Sequence, residues 1–328
     1  MHIFFEKGIC LQDGIKEISL DPSKPTPGSI VTHAHMDHLT KGALMTHETL
    51  SIMKIRLGSG NGRLLAVGRE DKYHGFKVKF HEAGHTFGSV MVETEGVLYT
   101  GDFNPEGGLT CGIATPRHCE TLIIESTYGK PEFTFPPKRE VERDLLSWTS
   151  AELSKSSVAF GAIEFGKAQE LIALLNTRGY DVVVSDNIAQ ISDVYKSFGY
   201  KLRYTRLSGL SEGEKQESRI FIVPSYWLKD KKPREFNFFK KLGGSQALVS
   251  GWCGIFNFTR QRNLTAQFPL SDHGDFDSLI EFTESCKPSR VLTVGSHSHY
   301  LAKEIRDRLG LESYSLQQRR RRTRDLSH

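Results

Sequence analysis

Between residues 31 and 38 the chain reads VTHAHMDH, which crowds His33, His35, Asp37 and His38 into eight positions. Imidazole and carboxylate are ligands that zinc favours, with manganese and iron as further candidates. On a strand that runs into a turn, His33 and His35 would project to the same side, while Asp37 and His38 would reach a neighbouring point. One short stretch could then serve two adjacent cations. Two more suppliers lie downstream: His85 in the glycine-flanked HEAGHTFGS, and Asp102 in YTGDFN, just after an apolar run. The glycine beside each lets backbone come close to a metal. Asp21, in ISLDP, is placed to orient a ligand from behind. His2, His47, His74, His81, His118 and His328 stand outside this pattern and read as independent surface or core residues.

The elements that would position these groups can be read from the apolar pattern. To about Gly129 the chain is rich in short β-like runs punctuated by glycine: GSIVTHAH, FKVKFHEAG, SVMVETEGVLYTGDF and TLIIESTYG. From about Lys130 the pattern changes to helices alternating with strands. A proline-led helix (PPKREVERDLLSWTSAELSK) precedes the strand SVAFGAI, the helix GKAQELIALLNTRG, the strand DVVVSD and the helix IAQISDVYKSFG, and RIFIVPS and QALVSGW add two strands. Such alternation predicts a parallel sheet wrapped by helices. After Ser271 the order is helix, the strand RVLTV, the helix LAKEIRDRLG and a tail. The expected division is a β-rich first part (1–129), an inserted βα domain (130–270), a return segment (271–318) and a basic tail (319–328).

Composition bounds the class. A hydrophobic fraction of 38% and a charged fraction of 25% over 328 residues are those of a globular chain, which excludes disorder. The net charge of +4 resides in the tail, where Arg319, Arg320, Arg321, Arg322 and Arg324 outweigh Asp325. That tail reads either as an electrostatic tether for a polyanion or as a solvated end. Five scattered cysteines without C-x-x-C spacing argue for reduced thiols over a disulfide framework. No apolar run approaches the ~20 residues of a membrane span, and MHIFFEKGIC is charged too soon for a signal peptide, so a cytoplasmic protein is expected.

Gly166 and Lys167 open a helix after a strand. The helix end and the lysine there could grip a phosphate, or the lysine could be simply solvated. SYWLKDKKPREFNFFKK mixes Tyr226, Trp227 and Phe238 with basic residues, which suits base stacking, or equally a solvated helix with a buried aromatic face.

The series H-x-H-x-D-H, G-H-x-x-G-S and T-G-D resembles the metallo-β-lactamase fold superfamily. That resemblance implies an α/β fold, the αββα sandwich, with His33, His35 and His85 around one zinc, Asp37 and His38 around a second, and Asp102 bridging. It also implies a hydrolytic site where metal makes water nucleophilic near neutral pH. LIIESTYG, AIEFGKAQELIALL and LSDHGDF resemble, within that superfamily, the β-CASP nucleases, whose insert is a Rossmann-like parallel sheet. The branch includes the pre-mRNA 3′-end endonuclease, RNase J, crosslink-repair nucleases and small ligase-associated DNA exonucleases. By this resemblance Glu125 orients His273, which supplies a proton to the leaving oxygen, and Asp37 joins them as a catalytic residue. RNA-cleaving branches carry one more ligand histidine near the C-terminus. Here that place falls at Gly295, beside Val294, and His297 or His299 could swing in instead.

The function expected on these grounds is a zinc-dependent nuclease on single-stranded nucleic acid, a 5′→3′ exonuclease with DNA favoured over RNA. An RNA-processing exo- or endoribonuclease, a small-molecule thioester or lactam hydrolase, and an inactive nucleic-acid-binding scaffold are the alternatives. One or two zinc ions, or manganese or iron, would be the cofactor, and no membrane is involved. Oligomeric state is open.

Overall fold

The computed structural model describes residues 1–37, 40–228, 234–262 and 264–316; His38 and the arginine tail therefore lie outside the described residues. The chain divides into two compact units, one formed by Met1–Thr134 with His273–His328, the other by Phe135–Asp272.

The first unit begins with β1 (His2–Phe5), β2 (Ile9–Asp13), β3 (Lys16–Leu20), β4 (Ser29–Ile30) and β5 (Leu44–Met45), then helix α1 (His47–Leu57) and β6 (Arg63–Leu64). These six strands form one sheet in chain order, antiparallel from β1 to β3 and parallel from β3 to β6. Next come β7 (Glu70–Tyr73), β8 (Phe76–Glu82), β9 (Val90–Thr94), β10 (Val97–Tyr99) and β11 (Thr121–Glu125).

The second unit carries α2 (Lys138–Leu153), β12 (Val158–Ala162), α3 (Lys167–Thr177), β13 (Val182–Val184), α4 (Asp186–Ser197), β14 (Tyr204–Arg206), β15 (Ile220–Pro224), α5 (Asn237–Lys241), β16 (Ser245–Val249), α6 (Phe258–Arg262) and β17 (Ala266–Phe268). The chain then returns to the first unit with α7 (Phe276–Cys286), β18 (Arg290–Val294), α8 (Ser298–Leu309) and β19 (Glu312–Ser315). The order of the second sheet of the first unit is β19-β18-β11-β10-β9-β8-β7.

Alternation explains how these sheets pack. Along β8, Phe76, Val78 and Phe80 are buried while Lys77 is exposed and Lys79 half-buried, the period of two that a one-sided strand requires. The inward residues of β8 meet Leu11, Ile18, Leu20 and Leu44 of the first sheet in one core. On the other face of the second sheet, Leu122, Ile124 and Val291 pack against Phe276, Leu279 and Phe282 of α7 and Leu301 and Ile305 of α8. On the outer face of the first sheet, Val31, Ala43 and Met45 pack on Leu50 and Met53 of α1. The layers thus run helix, sheet, sheet, helices. β11 is buried at all five positions because it is a central strand, paired in parallel with β10 and β18.

α1 lies between the expected β-like runs, in a segment for which no element was expected. Thr46 accepts from the Thr49 N–H at its start, and Gly58 ends it in the left-handed conformation.

In the second unit all six strands are parallel, in the order β14-β13-β15-β12-β16-β17. The parallel sheet agrees with the expectation of a βα insert, but the order departs from the doubly wound 3-2-1-4-5-6 pattern. β15 intervenes between β12 and β13, pairing with both. Trp227, Phe236 and Phe239 belong to the core of this unit, with Phe236 and Phe239 stacked at 5.0 Å. The aromatic residues of that stretch are therefore mostly structural, apart from exposed Tyr226. No helix among the described residues is long and apolar enough to cross a membrane.

Candidate active site

β4 ends at Ile30, so His33 and His35 stand on the loop that follows, not on the strand expected from the sequence. The reason is at Thr32. Its backbone N–H donates to Asp21 Oδ1 at 2.8 Å and its hydroxyl to Asp21 Oδ2 at 2.7 Å, which takes the chain out of the ladder. Asp21 itself directly follows β3 with a left-handed φ of 44°, and the Tyr99 hydroxyl donates to its Oδ2 at 2.9 Å. Burial first, then the charges of Asp21 and Asp102, push the Tyr99 phenol well above its ordinary pKa, so it remains a donor.

This network fixes a tautomer. The Thr32 hydroxyl hydrogen is committed to Asp21, so Thr32 Oγ1, 3.0 Å from His33 Nδ1, must accept the Nδ1 hydrogen. His33 Nε2 is left with its lone pair, and it lies 3.5 Å from Asp102 Oδ2. Asp21 thus reaches the histidine through Thr32, the placement of a residue that aims a ligand.

His85 arrives from the loop after β8. Its N–H and that of Thr86 donate to Ser89 Oγ at 3.2 and 3.1 Å, which closes the loop on itself. His85 Nε2 lies 3.1 Å from His35 Nδ1 and 3.8 Å from Asp102 Oδ2. The rings of His33, His35 and His85 form a near-equilateral triangle, with centroids 5.0, 5.1 and 5.0 Å apart. Burial, then the neighbouring His85, lowers His35 to about 3, so its ring is neutral and available to a cation. Burial alone would raise the Asp102 carboxyl, but His33, His273, His85 and His35 around it hold it far below the ordinary carboxylate range. One ligand atom from each of His33, His35, His85 and Asp102 lies within 4.8 Å of the others. Three imidazole nitrogens and one carboxylate oxygen converging in this way fit a divalent transition metal such as zinc.

The glycines beside His85 and Asp102 sit where a side chain would clash with neighbouring protein atoms. A Cβ at Gly84 would lie 2.2 Å from the Asn104 carbonyl, and one at Gly101 would lie 2.8 Å from Thr32 Oγ1. Both, at φ 68° and 54°, make room for neighbouring protein groups.

Beside this pocket stands a second group. Glu125, at the end of β11, is 4% exposed and accepts from the Phe103 N–H at 2.9 Å, the Thr127 N–H at 3.2 Å and the Thr127 hydroxyl. His273 Nδ1–H points at Glu125 Oε1 at 2.8 Å and Oε2 at 3.1 Å. Its ring lies 4.5 Å from that of His85, and ligand atoms of Asp102, Glu125 and His273 again fall within 4.8 Å of one another. His273 is positioned by α7, whose first turn is capped two residues later by Asp275, accepting from Ser278 N–H at 2.9 Å.

The remaining expectations are placed differently. Asp37 is exposed in the turn after His35 and belongs to neither cluster among the described residues; its neighbour His38 lies outside them. His297 does not join the ligands: its Nδ1–H donates to the Thr127 carbonyl at 2.9 Å and its ring packs on Phe133 at 4.9 Å. Gly295 follows β18 with φ 97°, a conformation that L side chains rarely adopt, and a Cβ there would sit 3.3 Å from Ser126 Oγ. A ligand histidine at that position would be strained. Val294, the last residue of β18, pairs in register with Glu125.

Gly166 caps α3 and its N–H donates to Gln169 Oε1 at 2.9 Å, while Lys167 is 3% exposed with Nζ 2.5 Å from Asp272 Oδ1. Lys167 is therefore not a solvated side chain; a buried ion pair with Asp272 holds it. Thr32, Tyr99 and Thr127 were missed by sequence reasoning. Their one visible signal is adjacency: each sits within three residues of an expected site residue in VTHAH, YTGD and ESTY.

No family model matches the chain. Among curated proteins it is 30% identical to a probable DNA ligase from Opitutus terrae over 90% of this chain and 29% of that protein. It is 28% identical to an RNase J-like protein from Methanocaldococcus jannaschii (56% and 52%) and 23% identical to the DNA cross-link repair 1A protein of Mus musculus (80% and 28%). The chain spans between 28% and 52% of the length of these three relatives. A crystal structure of a protein of unknown function from Enterococcus faecalis shares the fold, with a TM-score of 0.61, 14% identity, and coverage of 87% of this chain and 78% of that one. These relatives are β-CASP metallo-β-lactamase nucleases and RNA-processing proteins, the group that the motifs of this chain resemble.

Proposed function

We propose that this chain is a metal-dependent nuclease that hydrolyses phosphodiester bonds of single-stranded nucleic acid as a 5′→3′ exonuclease, with DNA favoured over RNA. In this reading the four-layer unit is the metallo-β-lactamase sandwich and Phe135–Asp272 is the β-CASP insert. The observation that carries it is the adjacency of two groups: the His33, His35, His85 and Asp102 donors, and the Glu125–His273 pair.

Phosphodiester hydrolysis needs charge neutralised, a nucleophile and a proton for the leaving oxygen. A divalent ion held by His33, His35, His85 and Asp102, with zinc the best match and manganese or iron next, would supply Lewis acidity and water of lowered pKa. His273 supplies the proton. Its Nδ1–H is committed to Glu125, so the opposite ring nitrogen is the one that faces reactants. Asp37 and His38 would complete a second cation site.

The names of the relatives divide between DNA (probable DNA ligase, DNA cross-link repair 1A protein) and RNA (RNase J-like protein). The DNA-named relatives match the larger share of this chain, and the glycine at 295 offers no side chain to serve as the extra ligand of RNA-cleaving branches. Both features favour DNA. The test is cleavage of 5′- and 3′-labelled single-stranded DNA and RNA of one sequence, after chelation and after restoring zinc, manganese or iron separately. Release of mononucleotides from the 5′ end, dependent on metal and faster on DNA, is expected. A metal-loaded protein that cleaves neither polymer would overturn the proposal.

A further inference from the structure

A chain of rings leads outward from His273 within the first unit. Tyr128 packs edge-on against His273 with centroids 5.9 Å apart, and Phe133 lies 6.1 Å beyond Tyr128. His297 is 4.9 Å from Phe133, and Tyr300 is 6.5 Å from His297. The inner members are buried or half-buried, with Phe133 at 5%, whereas Tyr300, on the first turn of α8, is 52% exposed. Its neighbours Leu301 and Ile305 carry the packing of α8, so the core makes no demand for an aromatic residue at 300.

Lys130 adds charge to this track. Its Nζ lies 4.5 Å from the Tyr300 ring centroid and 5.7 Å from that of Phe133. Glu132, 60% exposed, sits 3.7 Å from the ammonium group. An exposed pair of that length contributes little, so an incoming anion can replace the carboxylate.

We propose that Tyr300 and Lys130, backed by Phe133 and His297, form a stacking platform for one base of a single-stranded nucleic acid, with Lys130 neutralising the adjoining phosphate. This rests on the nuclease reading for its choice of ligand. Every base has a π-face, so such a platform holds a strand without reading its sequence, and a cation beside the ring supplies the electrostatic half of the contact. Four ring contacts link Tyr300 to His273, the ring that would donate the leaving-group proton, and both belong to the first unit. His297, in this arrangement, is a wall of the platform: its hydrogen bond to Thr127 fixes the ring against Phe133.

The experiment is equilibrium binding of fluorescein-labelled oligothymidylate and oligouridylate in chelator, where no cleavage intervenes, paired with steady-state kinetics on the metal-loaded enzyme. Tyr300→Ala should weaken binding of both polymers by roughly tenfold or more, the range of one lost base stack, and raise KM with little change in kcat. Tyr300→Phe should bind nearly as wild type. Lys130→Ala should reduce the salt slope of log K by about 0.7, one phosphate on a single strand. Unchanged affinity in Tyr300→Ala, or equal losses in Tyr300→Ala and Tyr300→Phe, would overturn the platform. If wild type binds through Tyr300 yet never cleaves, the nuclease proposal fails and the platform stands; if it cleaves while Tyr300→Ala binds normally, the reverse holds.

Discussion

Glu125 and His273 are 148 positions apart in the chain and meet at 2.8 Å, with both carboxylate oxygens within reach of the same ring nitrogen. β11 delivers the carboxylate at the C-terminal end of a central strand, and the turn before α7 delivers the imidazole. If the pair serves proton donation, His273→Ala should lower cleavage about a hundred- to ten-thousand-fold. Metal content, read by elemental analysis, should stay at the wild-type level. Glu125→Gln should give a smaller loss, and the double variant should be no worse than His273→Ala, because the two act as one unit. Near-normal turnover in His273→Ala would remove that ring from the proton path.

Asp21 reaches His33 through Thr32, by contacts of 2.7 and 3.0 Å. Asp21→Asn introduces an amide that need not accept from Thr32 on the same side, which frees the Thr32 hydroxyl hydrogen and loosens the His33 tautomer. Removing such an outer partner typically costs about 10–100-fold in metal affinity. Competition against a chromogenic chelator should register that loss, and Thr32→Val should reproduce it. Wild-type affinity in both variants would reduce Asp21 to a fold-stabilising role.

How much of this was legible beforehand follows from distance along the chain. His33, His35, His85 and Asp102 could be read because ligand types crowd into short stretches next to glycine, a pattern that solvated or core residues seldom produce. Glu125 and His273 carry no local signature; only the family resemblance singled them out. The strand through His33 was misjudged because side-chain capture of Thr32 by Asp21 is a tertiary event, invisible in alternation. The Lys167–Asp272 pair was hidden for the same reason: the two residues are 105 positions apart, and a lysine that opens a helix ordinarily reaches solvent. The strand order of the second unit was equally hidden, since every member is an apolar run that could occupy any interior position.

His81 gives a pH dependence separate from the metal ligands. It is 4% exposed, with Nε2 2.6 Å from Glu93 Oε2, and burial lowers its pKa from 6.5 despite the opposing pull of Glu93. The unfolded chain therefore binds this proton more readily than the folded one, so stability falls as pH drops below the ordinary histidine value. Calorimetric midpoints of the metal-free protein should decline between pH 7 and pH 5. His81→Gln, which keeps a donor for Glu93 but cannot titrate, should flatten that decline. An equal decline in both proteins would show that burial of this ring is not its source.

The Lys167–Asp272 pair tests what the start of α3 is for. Lys167 is 4% and Asp272 14% exposed in their side chains, so neither charge is well solvated if its partner is removed. Breaking such a pair on one side costs about 3–5 kcal/mol, whereas replacing both partners by apolar residues of similar volume is often neutral. Trp148, Trp227 and Trp252 are the only tryptophans of the chain and all lie within Phe135–Asp272, so intrinsic fluorescence follows the unfolding of this unit. Lys167→Ala should lower its denaturation midpoint sharply, and Lys167→Met with Asp272→Leu should recover most of the loss. A phosphate-binding lysine behaves otherwise: Lys167→Ala would barely move the fluorescence midpoint and would instead weaken oligonucleotide binding and lower its salt slope, and that result would return Lys167 to the role its place at the start of a helix suggests.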